Sequence, residues 1–175
     1  EDTGTLGAQE QGADAIEGRW LVIPRVLCFV VNGDDVLLMK RAPNRRIFPN
    51  RYNGVGGHVE RDEDPLTAAR REILEETGLE VRQLTLRGVH NIDAGENSGI
   101  LMFVFTAMSD TRAFVDHQEE GTLHWVSRDA LLSLDLVEDL PLILPRVLSM
   151  QANDPPYFAY VSYDDSDSLR MQVGI

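Results

Sequence analysis

Glu72, Glu75 and Glu76 stand at positions i, i+3 and i+4, the spacing at which a helix gathers side chains on one stretch of its surface. Three like charges held that close repel one another unless a cation neutralises them. A set of carboxylate oxygens is what a hard divalent ion such as Mg²⁺ or Mn²⁺ takes. A cation held there would also attract an anionic ligand, which the net charge of −13 otherwise opposes. Three glutamates alone more often form a solvated acidic face, so the surrounding residues decide between the two. Arg71 lies next to the set and is available to pair with Glu63.

The elements that must position these carboxylates can be read from the neighbouring pattern. Asp62 and Asp64 are plausible caps and Pro65 suits a first helical turn. Leu66, Ala69 and Ile73 recur at three- and four-residue spacing, which predicts the buried stripe of that helix, and Gly78 supplies the stop. Just before it, Gly54, Gly56 and Gly57 allow close backbone approach, and they predict a tight strand–loop turn. Residues Lys40 to Asn53 carry Lys40, Arg41, Arg45, Arg46 and Arg51 with two prolines. This is the most basic part of the chain and reads as an irregular loop, either solvated or in contact with phosphate.

Around this centre, Val26–Val31 and Val36–Met39 flank Asn32-Gly33-Asp34-Asp35 and predict a β-hairpin. Glu80–Val89, Ile100–Met108 and Leu123–Val126 read as further strands, and Arg128–Leu134 and Leu140–Met150 as helices. Beyond Pro155-Pro156, Phe158–Tyr163 and Leu169–Val173 predict a terminal hairpin. Mixed strands with two or more helices imply an α/β or α+β layered domain.

A chain of 175 residues with 43% hydrophobic content has the size and apolar content of one domain with a substantial core. We expect residues 1–18 to form a flexible arm, 19–175 a single domain, and 155–175 a hairpin extension of it. The arm lacks the basic start and apolar centre of a secretion signal. It begins with Glu1, so a natural start and targeting information can lie outside it. The longest apolar stretch, Leu21 to Val31, is interrupted by Pro24 and Arg25 and is too short to span a bilayer. The acidic balance disfavours a nucleic acid polymer or an anionic membrane as partner. The single cysteine, Cys28, lies in an apolar run and is expected to be buried and inert, which suits a cytoplasmic setting. His58, His90, His117 and His124 show no zinc spacing. His58 is the one that lies beside the glycines.

The assembled motif is Gly57, five residues, Glu63, seven residues, Arg71-Glu72-Ile73, one residue, Glu75-Glu76, one residue, then Gly78-Leu79, 23 residues in all. It resembles, at every fixed position, the signature of the Nudix hydrolases, the MutT-like enzymes. The likeness extends to the preceding Asn53–Glu60 and to the order of elements over about residues 20 to 150. The resemblance implies an α/β/α sandwich with a mixed sheet. It also implies that Glu72, Glu75 and Glu76, with the Gly56 carbonyl, bind divalent cations that bridge to a substrate diphosphate, with Arg71 and Glu63 as orienting residues. Water is then the expected nucleophile, and a carboxylate from a later loop accepts its proton or joins the metal site. Glu119 and Glu120 are the candidates, Glu120 the better of them; both also read as plain loop acids.

Substrate choice lies outside the signature. Tyr52-Asn53-Gly54 is similar to the segment with which Nudix enzymes of the oxidised-purine type contact the base, which implies base contact for Asn53. Glu138-Asp139 resembles the acidic pair that reads a purine edge in those enzymes, although two acids before a helix also make ordinary capping chemistry. The resemblance therefore implies magnesium-dependent pyrophosphohydrolysis of a small nucleotide, of the 8-oxo-dGTP type, giving a monophosphate and pyrophosphate, with Arg41 at the phosphates. Hydrolysis of ADP-ribose or a nucleotide sugar is the second expectation, and a non-catalytic nucleotide sensor the third. Phe158 and Tyr160 are expected either to finish the sheet or to build a homodimer contact.

Overall fold

The run expected as the first strand proves longer than its β-branched centre. In the computed structural model, which describes residues 7–117 and 119–174, β1 covers Leu21–Asn32 and includes Pro24 and Arg25. Pro24 is tolerated close to the strand's start, where its carbonyl still accepts from the Val59 N–H at 3.1 Å. Before β1 come one helical turn, α1 (Gly7–Glu10), and an exposed stretch to residue 20. The first six residues of the expected arm lie outside the described residues.

β2 (Asp35–Arg41) folds back on β1 through a two-residue turn in which Gly33 has φ +59, a left-handed conformation that favours glycine. The basic segment is shorter as a loop than expected, because β2 runs on to Arg41 and Tyr52–Asn53 forms a short strand, β3. The glycine segment is likewise a strand, β4 (Val55–His58), and not a loop turn. The helix α2 (Pro65–Thr77) follows, then β5 (Arg82–Ile92), β6 (Ser98–Met108) and β7 (Gly121–Ser127). Arg128–Ser133 is a 3₁₀ helix, and after it come α3 (Leu140–Ser149), β8 (Tyr157–Tyr163) and β9 (Leu169–Val173). Several strands, β1, β2, β6 and β7 among them, exceed their predicted spans because pairing with a neighbouring strand takes in residues that lack β-branched or apolar character.

All nine strands join one mixed sheet in the order β3-β2-β1-β6-β5-β8-β9, with β4 on β1 and β7 on β2. β1 runs parallel to β6 from Leu21↔Ser98 to Val31↔Met108. Its other edge is divided: Arg25–Cys28 pairs with β4, and Val30–Asn32 pairs with β2. β2 then leaves β1 and pairs with β3 at Met39↔Asn53 and Lys40↔Tyr52. The sheet thus forks, and the segment β3-Gly54-β4 fills the fork. Only glycine fits at its tightest point, since a Cβ on Gly56 would run into the Val26 carbonyl.

The continuous apolar run of β1 is buried on both faces, as expected of a strand inside a covered sheet. Val26, Cys28 and Val30 pack with Ala68, Ala69 and Ile73 of α2. Leu27, Phe29 and Val31 pack with Leu140, Ile143, Leu144 and Val147 of α3. This is the α/β/α layering that the motif implied. Leu66 corrects one detail of the predicted stripe. It is 45% exposed, and the buried residues of α2 are Ala68, Ala69, Ile73 and Thr77. The small alanines let the helix backbone approach the sheet closely, and Leu66 in the first turn lies outside that contact. Cys28 is buried, and burial raises its thiol pKa far above the usual value, in line with an inert side chain.

No helix among the described residues is long and apolar enough to cross a membrane. Phe158 and Tyr160 belong to β8, which lies between β5 and β9, and both side chains are exposed.

Candidate active site

α2 begins and ends where its sequence dictates. Asp64 accepts from the Leu66 and Thr67 N–H groups at 2.8 and 3.0 Å, and Gly78, with φ +71, closes the helix. Between these caps the third and fourth turns carry the carboxylates. Arg71 ties them to the β4 end. Its Nε donates to Glu63 Oε2 at 3.1 Å, and Nη2 donates to Glu63 Oε1 at 2.7 Å and to the His58 carbonyl at 3.0 Å. Its Nη1 donates to Glu72 Oε1 at 3.0 Å and to Glu75 Oε2 at 3.1 Å. One guanidinium with all its donors engaged thus sets three carboxylates at once. The Glu63 carboxyl is held below its usual range, first by the hydrogen bond from Arg71 and then by its bond from the Glu60 N–H.

The three motif glutamates differ in environment. Glu75 is exposed, with 60% of its side-chain surface free, against 14% for Glu72. Glu72 lies so close to β4 that a Cβ on Gly57 would collide with its carboxylate, and burial raises its pKa against the opposing pull of Arg71. Glu76 accepts from the Gly56 N–H at 3.0 Å. Its carboxyl is pushed up to about 8, mainly by burial, with Gly56 pulling the other way and Glu72 adding repulsion. Such a buried acid gains most from a cation.

Among the described residues, no three His, Cys, Asp or Glu side chains stand together as a ready metal site. The side-chain bonds explain it, since Arg71 holds Glu72 and Glu75 while the Gly56 N–H holds Glu76. The donor chemistry nevertheless fits a hard divalent cation: all donors are oxygens. Glu72, Glu75 and Glu76 share one acidic depression with Asp116, Glu119 and Glu120 from the loop before β7.

Glu72 and Glu76 also border a second cleft, of about 600 Å³, lined by residues on both sides of the fork in the sheet. The cleft brings together Gly56, Arg41, Asn53, Glu120, Glu138 and Asp139, all residues singled out from sequence. Glu75 and Glu119 line only the acidic depression, and Glu63 and Arg71 line neither, acting from behind the carboxylates. Glu120 borders both spaces, 3.5 Å from Arg45. The Arg41 Nε donates to the Ile47 carbonyl at 2.8 Å, and its pKa is lowered, first by burial and next by Arg45. Glu138 lies 3.8 Å from Arg51.

Asp139 stands before α3 but its side chain makes no cap bond, so ordinary capping does not account for it. Its Oδ1 is buried without a partner and burial raises its pKa.

Sequence reasoning missed the rest of the cleft wall. Arg25, Leu27, Ile100 and Met102 come from β1 and β6, Phe48 from the basic loop, and Tyr163 and Leu169 from the terminal hairpin. Arg25 had a signal, a lone charge inside an apolar strand. The others carried none, because apolar strand residues look alike whether they face the core or a cleft.

A family model described as the NUDIX domain matches residues 22–147. The chain is 30% identical over 124 residues to the nucleoside triphosphatase NudI of Enterobacter sp., a match that covers 65% of this chain and 88% of that protein. It is 57% identical over 44 residues to the m7GpppN-mRNA hydrolase NUDT17 of Danio rerio, covering 25% of this chain and only 15% of that relative's length. Among solved structures it is similar in fold to the mutator MutT protein from Bacillus halodurans. The TM-score is 0.74 at 24% identity, covering 87% of this chain and 97% of the other.

Proposed function

The chain belongs to the Nudix hydrolase family, and from that premise we propose that it hydrolyses the diphosphate linkage of a purine nucleoside triphosphate, of the 8-oxo-dGTP type, to a monophosphate and pyrophosphate. The observation that carries this reading is the cleft joining Glu72 and Glu76 of α2 to Arg41, Asn53 and the Glu138–Asp139 pair. One end suits phosphates and a divalent cation, and the other offers the hydrogen-bonding groups and apolar walls that fit a base. The name of the Enterobacter relative, a nucleoside triphosphatase, agrees with it.

Glu72, Glu75 and Glu76, with the Gly56 carbonyl, would hold Mg²⁺, for which Mn²⁺ can substitute. When bound, the ion supplies charge neutralisation at the diphosphate and lowers the pKa of water. Arg71 and Glu63 act as positioning residues, fixing the direction of Glu72 and Glu75 through the hydrogen bonds described above. Glu120, from the loop before β7, takes the proton of the attacking water. Arg41 binds a phosphate oxygen and reduces the repulsion between an anionic substrate and an acidic protein. Asn53, held in β3 beside the fork, and the Glu138–Asp139 pair contact the base. The arm at residues 1–18 and the hairpin at 155–175 are part of the proposal only as flanks of one catalytic domain.

The test is a magnesium-dependent panel of nucleoside triphosphates, oxidised purine triphosphates, ADP-ribose, nucleotide sugars and a capped dinucleotide, with products separated by chromatography. We expect monophosphate and pyrophosphate from a purine triphosphate. Preferred cleavage of ADP-ribose or a nucleotide sugar into two monophosphate-bearing products would overturn the triphosphate reading and return Asn53 and Glu138 to structural roles. Nucleotide binding without turnover of any of them would favour a sensor.

A further inference from the structure

Three buried side-chain polar atoms lack a hydrogen-bond partner among the described residues, and two of them line the cleft: Arg25 Nε and Asp139 Oδ1. They are of opposite kind. Arg25 Nε is an obligate donor, and Asp139 Oδ1 is an acceptor whenever the carboxylate is ionised. A buried donor attached to a charged group is costly to leave without a bond. In a chain with 29 acidic residues against 16 basic ones, an arginine that forms no ion pair among the described residues calls for an explanation from what it faces.

Among the described residues no carboxylate stands within ion-pair distance of Arg25. It sits in β1 between His58 of β4 and Met102 of β6. Its cleft neighbours Leu27, Ile100 and Met102 are apolar. Strand alternation places Arg25 and Leu27 on the same face of β1, so the guanidinium stands beside apolar Leu27, with His58 as its cross-strand neighbour. Arg41 and Arg45 engage the Ile47 carbonyl and Glu120 respectively, which leaves Arg25 as the cleft arginine with its fork uncommitted.

We propose that Arg25 is a specificity-determining residue that reads the acceptor edge of a 6-oxopurine base, while Asp139 accepts an N–H of the same base. This rests on the reading of the cleft as a site for a guanine-type nucleotide, in which Asp139 already contacts the base, and goes beyond it by assigning a residue to the O6/N7 edge. A guanidinium offers parallel N–H donors, and the O6 and N7 atoms of a guanine-type base are the matching pair of acceptors. The ring and amino N–H groups on the far edge of that base are donors that suit a carboxylate. Adenine carries an amino group where guanine carries O6, and it would set N–H against N–H at Arg25. Leu27, Ile100 and Met102 supply the apolar surface on which the ring lies.

The experiment is calorimetric titration of the full chain with GMP and with AMP, for the wild type, Arg25→Ala and Arg25→Lys, with thermal melting to confirm that each variant is folded. The wild type should bind GMP at least about tenfold more tightly than AMP. Arg25→Ala should lose about tenfold or more in GMP affinity and change AMP affinity less than about twofold. Arg25→Lys should fail to restore GMP binding, because an ammonium cannot form the fork. If Arg25→Ala does not fold, the lysine variant carries the test alone. An equal loss for GMP, AMP and ribose 5-phosphate would mean that Arg25 is a phosphate clamp and would overturn the proposal. So would unchanged binding, or a wild type that does not prefer GMP. Because monophosphate binding needs no turnover, failure of hydrolysis on every substrate would remove the proposed activity without deciding this point.

Discussion

Asp64 and Asp139 each stand immediately before a helix that opens with proline in its first turn. Asp64 has extended backbone angles, φ −89 and ψ 164, and accepts from two backbone N–H groups and from the Thr67 hydroxyl. Asp139 has helical angles, φ −85 and ψ −19, and its side chain caps nothing. The first aspartate is satisfied within its own helix, and its carboxyl is held low, mainly by the Thr67 bonds. The second is buried with one oxygen unpartnered, and burial holds its carboxyl high. A group that completes its own element contributes stability. A buried group that completes nothing costs stability, and its use lies with something it binds.

The same contrast holds between the ends of the cleft. At the α2 end Arg71 fixes two motif glutamates before any ligand arrives. At the α3 end one Asp139 oxygen and the Arg25 Nε have no hydrogen-bond partner among the described residues.

The strongest way to break this contrast is at the α2 end. Glu76→Gln should keep the fold and lose about two orders of magnitude or more in metal-dependent turnover. Near-normal rates in a steady-state assay would remove the carboxylates of α2 from the chemistry and with them the division of labour between the two ends. At the other end, Asp139→Asn should lower kcat/KM for purine nucleotides by about tenfold or more while the folded protein becomes no less stable. Its pH dependence has a definite sign. A carboxyl raised in the folded state contributes stability below its unfolded pKa, about 3.9, and that contribution is lost as the pH rises through the folded value. The variant should therefore melt higher than the wild type at neutral pH, an advantage that disappears near pH 3. A variant that melts lower at neutral pH would show that Asp139 supports the fold.

The smallest effect belongs to Asp64→Ala, which should lower the melting temperature by only a few degrees at neutral pH and leave turnover per folded molecule unchanged. Here the sign reverses. A carboxyl held low contributes stability above about pH 3.9 and loses it as the pH falls, so wild type and variant should converge in acid. Equal melting at neutral pH would mean that the two aspartates do not differ as their geometry says.

The two aspartates also mark where sequence was informative. The helix over Pro65–Thr77, its caps and the pairing of Arg71 with Glu63 all follow from residues within about two dozen positions, because helical geometry ties neighbours in sequence to neighbours in space. Leu66 shows the limit of the same logic. Its spacing puts it on the buried stripe, but the side chain is exposed, and Ala68 and Ala69 take the buried positions. The basic segment and the glycine segment were read as loops because proline, arginine and glycine disfavour strands. Both Tyr52–Asn53 and Val55–His58 are nevertheless paired, because the fork between β1 and β2 offers each an open edge.

By itself the sequence determined what depends on short range: the three glutamates on one helix, their orienting arginine, and the membership in a family that this motif carries. Only the tertiary structure decided what stands opposite them. Arg25, Asn53, Met102 and Tyr163 come from four strands and Asp139 from the turn before α3, and they share one cleft because β1 pairs in parallel with β6 while its other edge divides between β4 and β2. Strand partners and their register are chosen by long-range burial of whole faces, so no local pattern in the chain announces which strand residues will face a ligand.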